Sequence, residues 1–302
     1  MAIYHTKFIQ IPFKSTVRIK EMGNVVDIMY SEKISHGGYI TKLNKEEYKI
    51  NRTGEVFAFR HNNARKDDIE SIAKSLVRLR DYLNTNVTDT TNCRWLTLTY
   101  AENMTNPQKL KNDFKNFNKR CREKYGHYEY IAAAEPQGRG AWHLHIVVIF
   151  SHRAPFMANK DIASCWKQGF VTVRKLDDID NVGVYLTAYL GDMELSEYQS
   201  AYPNMPFGEV KEIVAGKEHK YFVKGARLSM YPSGFHLYRC SKGIKSPKIS
   251  RDSYENARHA LGDLEPTYRH SIFISDKDSG FENTITHEFY NRKRKKEVPQ
   301  ND

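Results

Sequence analysis

Residues 138 to 150, GRGAWHLHIVVIF, constrain the fold more than any other stretch of the chain. The run reads as a buried strand, and in a strand successive side chains leave alternate faces. His143 and His145 therefore leave one face together, while Leu144 and Ile146 leave the other. A strand this apolar that gives one face to two aligned imidazoles either satisfies them in its core or uses their nitrogens.

What precedes the strand bears on that choice. YEYIAAAEPQGRGAW reads as a strand, a Gly/Pro-rich turn and the start of the histidine strand, which together make a hairpin. Glu135 ends the first arm and His143 opens the second, so a carboxylate and two imidazoles can converge at one end of the pair. Two nitrogens and one oxygen, with open positions left over, suit a divalent ion such as Mn²⁺ or Mg²⁺, and histidine-rich sites tolerate zinc as well. An HxH pair alone is more often structural or solvent-facing. The glutamate across a tight turn makes Glu135, His143 and His145 a candidate metal site.

The flanking periodicities supply the framework. In RKDDIESIAKSLVRLRDYLNTN, Ile69, Ile72, Leu76, Leu79 and Leu83 recur three or four apart, which predicts an amphipathic helix ending near Asn84. CRWLTLTY alternates Trp95, Thr97 and Thr99 with Leu96, Leu98 and Tyr100, the pattern of a strand with one buried face. NPQKLKNDFKNFNKRCREKYG has Pro107 placed for a helix start and a stripe of Leu110, Phe114 and Phe117. ANKDIASCWKQG reads as a short helix, FVTVRKL as a strand, and DIDNVGVYLTAYLGDMELSEY as one further helix. Before residue 60 the chain is β-prone, with GNVVDIMYSEK and GEVFAFRHN as weak strands. Helices over a mainly antiparallel sheet make this an α+β chain.

Charge narrows the partners. A formal net charge of +11 favours a polyanion, because each phosphate neutralised by Lys or Arg releases counterions. Arg292, Lys293, Arg294, Lys295 and Lys296 stand consecutively near the end, either a solvated tail or an arm that touches DNA. The 19 tyrosines and 15 phenylalanines suit base stacking, although most aromatics serve cores. Cys93, Cys121, Cys165 and Cys240 are scattered without CxxC spacing, which argues for reduced, packed thiols. No run reaches the roughly 20 apolar residues of a membrane helix and the first residues lack an apolar signal core, so a cytoplasmic protein without membrane contact is expected.

Tyr185 and Tyr189 lie four apart on the helix read in NVGVYLTAYLGDM and so share a face. The bland reading makes both half-buried core residues. Ile179, Val182, Leu186 and Leu190 share an arc that includes Tyr189 and leaves Tyr185 at its margin, so Tyr185 has the freer hydroxyl. A phenol with its ordinary pKa of about 10 becomes a useful nucleophile only beside a cation or an activated electrophile.

At these residues the chain resembles the HUH endonucleases, in particular the rolling-circle replication initiators of plasmids and single-stranded DNA phages. WLTLTYAENM resembles their first motif, AAAEPQGRGAWHLHIVVIF the metal motif and VYLTAYLGDM the tyrosine motif. GFHLYRCSKGIKSP resembles a segment of the replication-associated subgroup, so the likeness runs from about residue 92 to 248. The resemblance implies a metal-dependent nickase: Glu135, His143 and His145 bind the ion, Tyr185 attacks one strand and keeps its 5′ phosphate, and Tyr189 is a second nucleophile for the closing transfer. Many relatives carry a lysine three residues after the first tyrosine. Here that position is Ala188, so another cation must serve, with Arg139, Lys167 and Lys242 as candidates. Arg139, Lys167, Lys242, Lys245, Arg292 and Arg294 are the basic residues expected on DNA.

The expected partner is single-stranded or hairpin DNA at a replication origin, with host polymerase and, since no Walker A motif is present, a separate host helicase and no nucleotide cofactor. The expected organisation is an accessory region over 1–90, a nuclease core over 91–195, and a region over 196–302 that completes the core or binds DNA. Competing readings are a conjugative relaxase or single-strand transposase of the same chemistry, and a basic DNA-binding protein without chemistry. In one large group of relaxases the tyrosine precedes the histidines, an order opposite to this chain's.

Overall fold

The computed structural model describes residues 2–33, 40–59, 69–138, 140–176, 182–206, 208–215, 218–232, 235–276 and 280–293. The side chains of Tyr185 and Tyr189 lie outside that description, as do Arg139 and Arg294. The fold is α+β with antiparallel sheets, and by contacts it divides into two compact units, residues 22–24 with 64–247, and residues 1–21 with 25–63 and 248–302.

The first of these units is built on five antiparallel strands, in the order Val171–Arg174, Cys93–Thr99, Trp142–Ile149, Glu129–Pro136 and Tyr238–Cys240. On one face Leu96, Leu98, Leu144 and Ile146 bury against Leu110, Phe114 and Phe117 of helix Pro107–Tyr125 and Ile162 and Trp166 of helix Asn159–Trp166. Asn106 caps the first of these helices by accepting from the Gln108 and Lys109 amides, and Pro107 occupies its first turn, where no amide partner is needed.

The opposite face is also covered. Cys93, Trp95, Ile131, Ala133 and Val147 pack against Leu79 and Leu83 of helix Ile69–Asn86 and Val182, Leu186 and Leu190 of helix Val182–Gly191. Trp95 is therefore buried, and the expectation of a single buried face for CRWLTLT gives way to a sheet with helices on both sides. The first helix also runs to Asn86, slightly past the expected end.

The helix read through DIDNVGVYLTAYLGDMELSEY is divided. Residues 177–181 lie outside the described set. Helix Val182–Gly191 stops before Asp192, Met193–Glu194 pairs as a strand with Phe222 and Val223, and a second helix spans Leu195–Ala201. The cause is tertiary: the buried Asp192 carboxylate accepts from the Gly225 amide at 2.7 Å and pairs with Lys211, so it belongs to a turn rather than to a helix surface.

The other unit carries a six-stranded antiparallel sheet in the order Ala2–Thr6, Tyr268–Asp276, Phe281–Asn291, Val25–Ser31, Thr16–Met22 and Lys248–Ser253. Its core gathers Ile11, Val17, Val26, Ile28 and Tyr290 with Ala257 of helix Tyr254–Leu261. A small sheet of Ile40–Lys42, Glu47–Ile50 and Val56–Ala58 belongs to the same unit. Among the described residues no helix is long and apolar enough to cross a membrane.

Candidate metal centre

The hairpin register sets the site. Glu135 lies directly opposite His143, and Ala133 opposite His145. On the other flank of the histidine strand, Thr99 lies opposite His143 and Thr97 opposite His145. Directly opposed residues share a face, so Glu135, both imidazoles and both threonines emerge on one side. The turn closes through Gln137 N to Ala141 O at 2.8 Å and Gly140 N to Gln137 O at 2.7 Å. Gly140 takes φ 87°, a left-handed backbone that a side chain would resist.

One ligand atom from each of Glu135, His143 and His145 lies within 4.8 Å of the other two. Glu135 and His145 are each only 5% exposed, and His143 is half-buried. The His145 Nε2 meets Glu135 Oε2, the His145 Nδ1 is 3.4 Å from Thr97 Oγ1, and the Trp95 ring stands edge-on to the imidazole at 5.8 Å. Two imidazole nitrogens and one carboxylate oxygen gathered this closely fit a small divalent cation by donor chemistry.

A residue absent from the sequence reading completes the surroundings. Arg227, 1% exposed, places Nη2 2.8 Å from Glu135 Oε1, donates from Nη1 to the Pro136 carbonyl at 2.7 Å, and from Nε to the Asp192 carbonyl at 3.2 Å. It also forks onto Glu197, with Nη1 to Oε1 at 3.1 Å and Nη2 to Oε2 at 2.6 Å. Burial alone would raise the Glu135 carboxyl, but His145, Arg227 and His143 outweigh it and hold the group below its ordinary range. Burial likewise pulls on the Arg227 guanidinium, and Glu135 and Glu197 more than restore it. Glu135 thus has one oxygen committed to a cation and the other turned to the imidazoles. Nothing in YFVKGARLSM marks its arginine in advance, since the residue sits in a turn without periodicity.

Beside the triad lies an open cavity of about 530 Å³, bounded by Thr99 and His143 on the sheet and by Glu197, Ser200 and Ala201 on the helix that follows Glu194. The Gly138 amide in the hairpin turn donates to Glu197 Oε1 at 2.9 Å, tying this wall to the turn.

Helix Val182–Gly191 carries the backbones of Tyr185 and Tyr189. It buries Val182, Leu186 and Leu190 against Ile131, Ala133 and Val147, which are on the imidazole side of the sheet by their register with His145. The buried Tyr231 hydroxyl lies 3.1 Å from the Ala134 carbonyl and 3.0 Å from the Leu190 carbonyl, bridging strand and helix end.

The remaining basic residues are dispersed. Lys167 is exposed in the turn after helix Asn159–Trp166, where Gln168 O accepts from Ala101 N at 2.9 Å, so it stands at the triad end of the sheet. Lys242 follows Ser241, whose amide bonds the Tyr130 carbonyl at 3.0 Å; Tyr130 is at the other end of the strand that carries Glu135. Lys245 bonds Asn86 through its amide and is exposed. Arg292 pairs with Glu21 at 3.5 Å in the other unit. Ala188 is buried, in the position where relatives are expected to carry lysine.

Residues 93–194 match the family model described as replication-associated protein ORF2. The matched stretch contains Glu135, His143, His145, Tyr185 and Tyr189, and the resemblance drawn from the motifs holds over it. No curated protein and no solved structure matches the chain.

Proposed function

We propose that this chain initiates rolling-circle replication by nicking one DNA strand at an origin with a tyrosine. The observation that carries the reading is the grouping of Glu135, His143 and His145, with ligand atoms within 4.8 Å, on the sheet face against which the helix of Tyr185 and Tyr189 packs. The family match over residues 93–194 agrees with it.

Glu135, His143 and His145 would hold Mn²⁺ or Mg²⁺. A bound ion supplies Lewis-acid polarisation of the scissile phosphoryl oxygens. The Tyr185 phenol gives up its proton as its oxygen attacks phosphorus, the bond to the 3′ oxygen breaks, and that oxygen takes up a proton to become a free 3′ hydroxyl. The 5′ phosphate stays on Tyr185 until a 3′ hydroxyl attacks it and the phenol leaves; Tyr189 is the second nucleophile, whose attack at the other strand junction frees that hydroxyl. The free hydroxyl primes a host polymerase, with a host helicase separating the strands. Arg227 does not reach into the reaction; it holds Glu135 Oε1 so that the other oxygen faces the imidazoles.

Incubation with a library of single-stranded oligonucleotides and Mn²⁺, followed by sequencing of the ends trapped on protein, tests this. Covalent adducts at a defined sequence are expected, lost on chelation and lost in Tyr185→Phe. A gel shift with no cut would leave a DNA-binding protein without chemistry, and an unchanged adduct yield in Tyr185→Phe would move the role to Tyr189.

A further inference from the structure

The row of residues that contains the metal ligands continues past them. Glu135, His143 and Thr99 lie opposite one another across three strands. The next strand pairs Val171 with Leu98, and the Thr99 amide donates to the Phe170 carbonyl at 2.9 Å, so Phe170 stands opposite Thr99. Val171 and Val173 face the core formed around Leu98, and alternation therefore sends Phe170 out on the side of His143. Its ring is 71% exposed.

An isolated exposed phenylalanine needs no explanation. This one stands two strand spacings, about 10 Å, from the strand of His143. Thr99, which bounds the cavity beside the triad, lies between them. The backbone is shaped to bring it there. Gly169 has φ 154°, and a Cβ on it would fall 2.4 Å from the Thr99 carbonyl oxygen, so only glycine lets the turn press against the neighbouring strand. Lys167 is exposed within the same turn, whereas Lys109 Nζ, 3.0 Å from Gln168 Oε1, is already paired with Asp113. An exposed ring with a cation in the same turn, beside a phosphate-directed site, is the chemistry that receives a single nucleic-acid strand, the ring taking a base face and the cation the backbone.

We propose that Phe170 is the stacking seat for a nucleobase close to the phosphate held at the Glu135, His143 and His145 triad, with Lys167 along the same strand's backbone. The proposal rests on the DNA-nicking reading for what occupies the triad, but it concerns binding and is measured without cleavage.

The test compares two labelled single strands in chelator, an oligothymidylate of about twenty nucleotides, longer than a usual single-fold footprint, and an abasic oligomer of the same length and charge. Phe170→Ala is expected to weaken the oligothymidylate between about five-fold and a hundred-fold, the range of one stacked base, and to leave the abasic oligomer unchanged. Phe170→Trp is expected to restore binding, and Phe156→Ala, which alters a ring 86% exposed outside the sheet, to change neither. Equal losses on both oligomers, no loss on either, or a wild-type chain that does not prefer bases overturns the seat. Failure of the wild-type chain to form a covalent adduct with Mn²⁺, while Phe170→Ala still loses only the base-dependent binding, overturns the nicking reading and leaves the seat standing.

Discussion

Arg227 and Glu135 form an ion pair at 2.8 Å in which both side chains are buried, and the same guanidinium forks onto Glu197. Two carboxylates therefore share one cation beside the imidazoles, an arrangement left one positive charge short and suited to accept a divalent ion. Removing one partner of such a pair strands the other without water or counter-charge. Arg227→Met is expected to destabilise the chain by about 3–5 kcal/mol, read from urea denaturation. Arg227→Lys keeps the charge but cannot fork, so it should fall between the two. If the cost arises from stranded carboxylates, adding Glu135→Gln to Arg227→Met will recover part of it; strict additivity would assign the loss to packing instead.

A metal that binds the folded triad must also raise the melting temperature. An excess of about a hundred-fold over its Kd stabilises by about 2.7 kcal/mol. Mn²⁺ is expected to shift the wild-type midpoint upward in calorimetry, and His145→Ala to abolish the shift while a Lys242→Ala control retains it. An equal shift in His145→Ala would place the ion elsewhere.

Acid sensitivity should have an identifiable source at the far end of the same strand. Glu129 is held below its ordinary carboxylate range chiefly by the Ser241 hydroxyl, against the opposing effect of burial, with His127 and the Gly243 amide adding to it. A depressed carboxyl contributes stability that is fully present above its unfolded value, near 4.5, and is lost as pH falls through the lower folded value. Wild-type stability is expected to decline below about pH 4.5, and Glu129→Gln to flatten that decline while lowering stability at neutral pH. Parallel profiles for the two proteins would assign the acid sensitivity to other carboxylates.

The parts of this architecture written in local sequence were legible. Alternation in WHLHIVVI and the turn before it marked the hairpin, and the structure sets Glu135, the end of one arm, directly opposite His143, the start of the other. The stripe Leu110, Phe114 and Phe117 with Pro107 at its head located a helix whose buried face is those same residues with Cys121. What failed depended on partners distant in the chain. A second buried face on the strand of Trp95 was not legible because part of its cover, Leu186, comes from a helix far along the chain, although Leu83 lies on the helix just before the strand. Asp192 broke a periodic helix because the Gly225 amide, on a later turn, claims its carboxylate. Strand Ala2–Thr6 pairs with Tyr268–Asp276, a closure between opposite ends of the chain that no window of sequence reveals. Arg227 was invisible for the same reason: its meaning is the set of oxygens around it, drawn from separate segments of the chain.

Tyr231 offers a way to loosen the tyrosine helix without touching the triad. Its hydroxyl lies within hydrogen-bonding distance of two carbonyls, Ala134 on the strand of Glu135 and Leu190 at the end of helix Val182–Gly191. The ring is buried against Trp142, with centroids 6.4 Å apart, so Tyr231→Phe keeps the packing and removes only the oxygen. The loss leaves buried acceptors without their donor and is expected to cost about 1–2 kcal/mol in urea denaturation. Because Glu135 keeps Arg227 and His145, the Mn²⁺ shift in melting temperature should survive. Under the proposed reaction the rate of adduct formation should fall, since the helix that carries Tyr185 and Tyr189 has lost its tie to the strand that carries Glu135. An adduct rate equal to wild type, with the stability cost present, would show that the bridge serves folding alone.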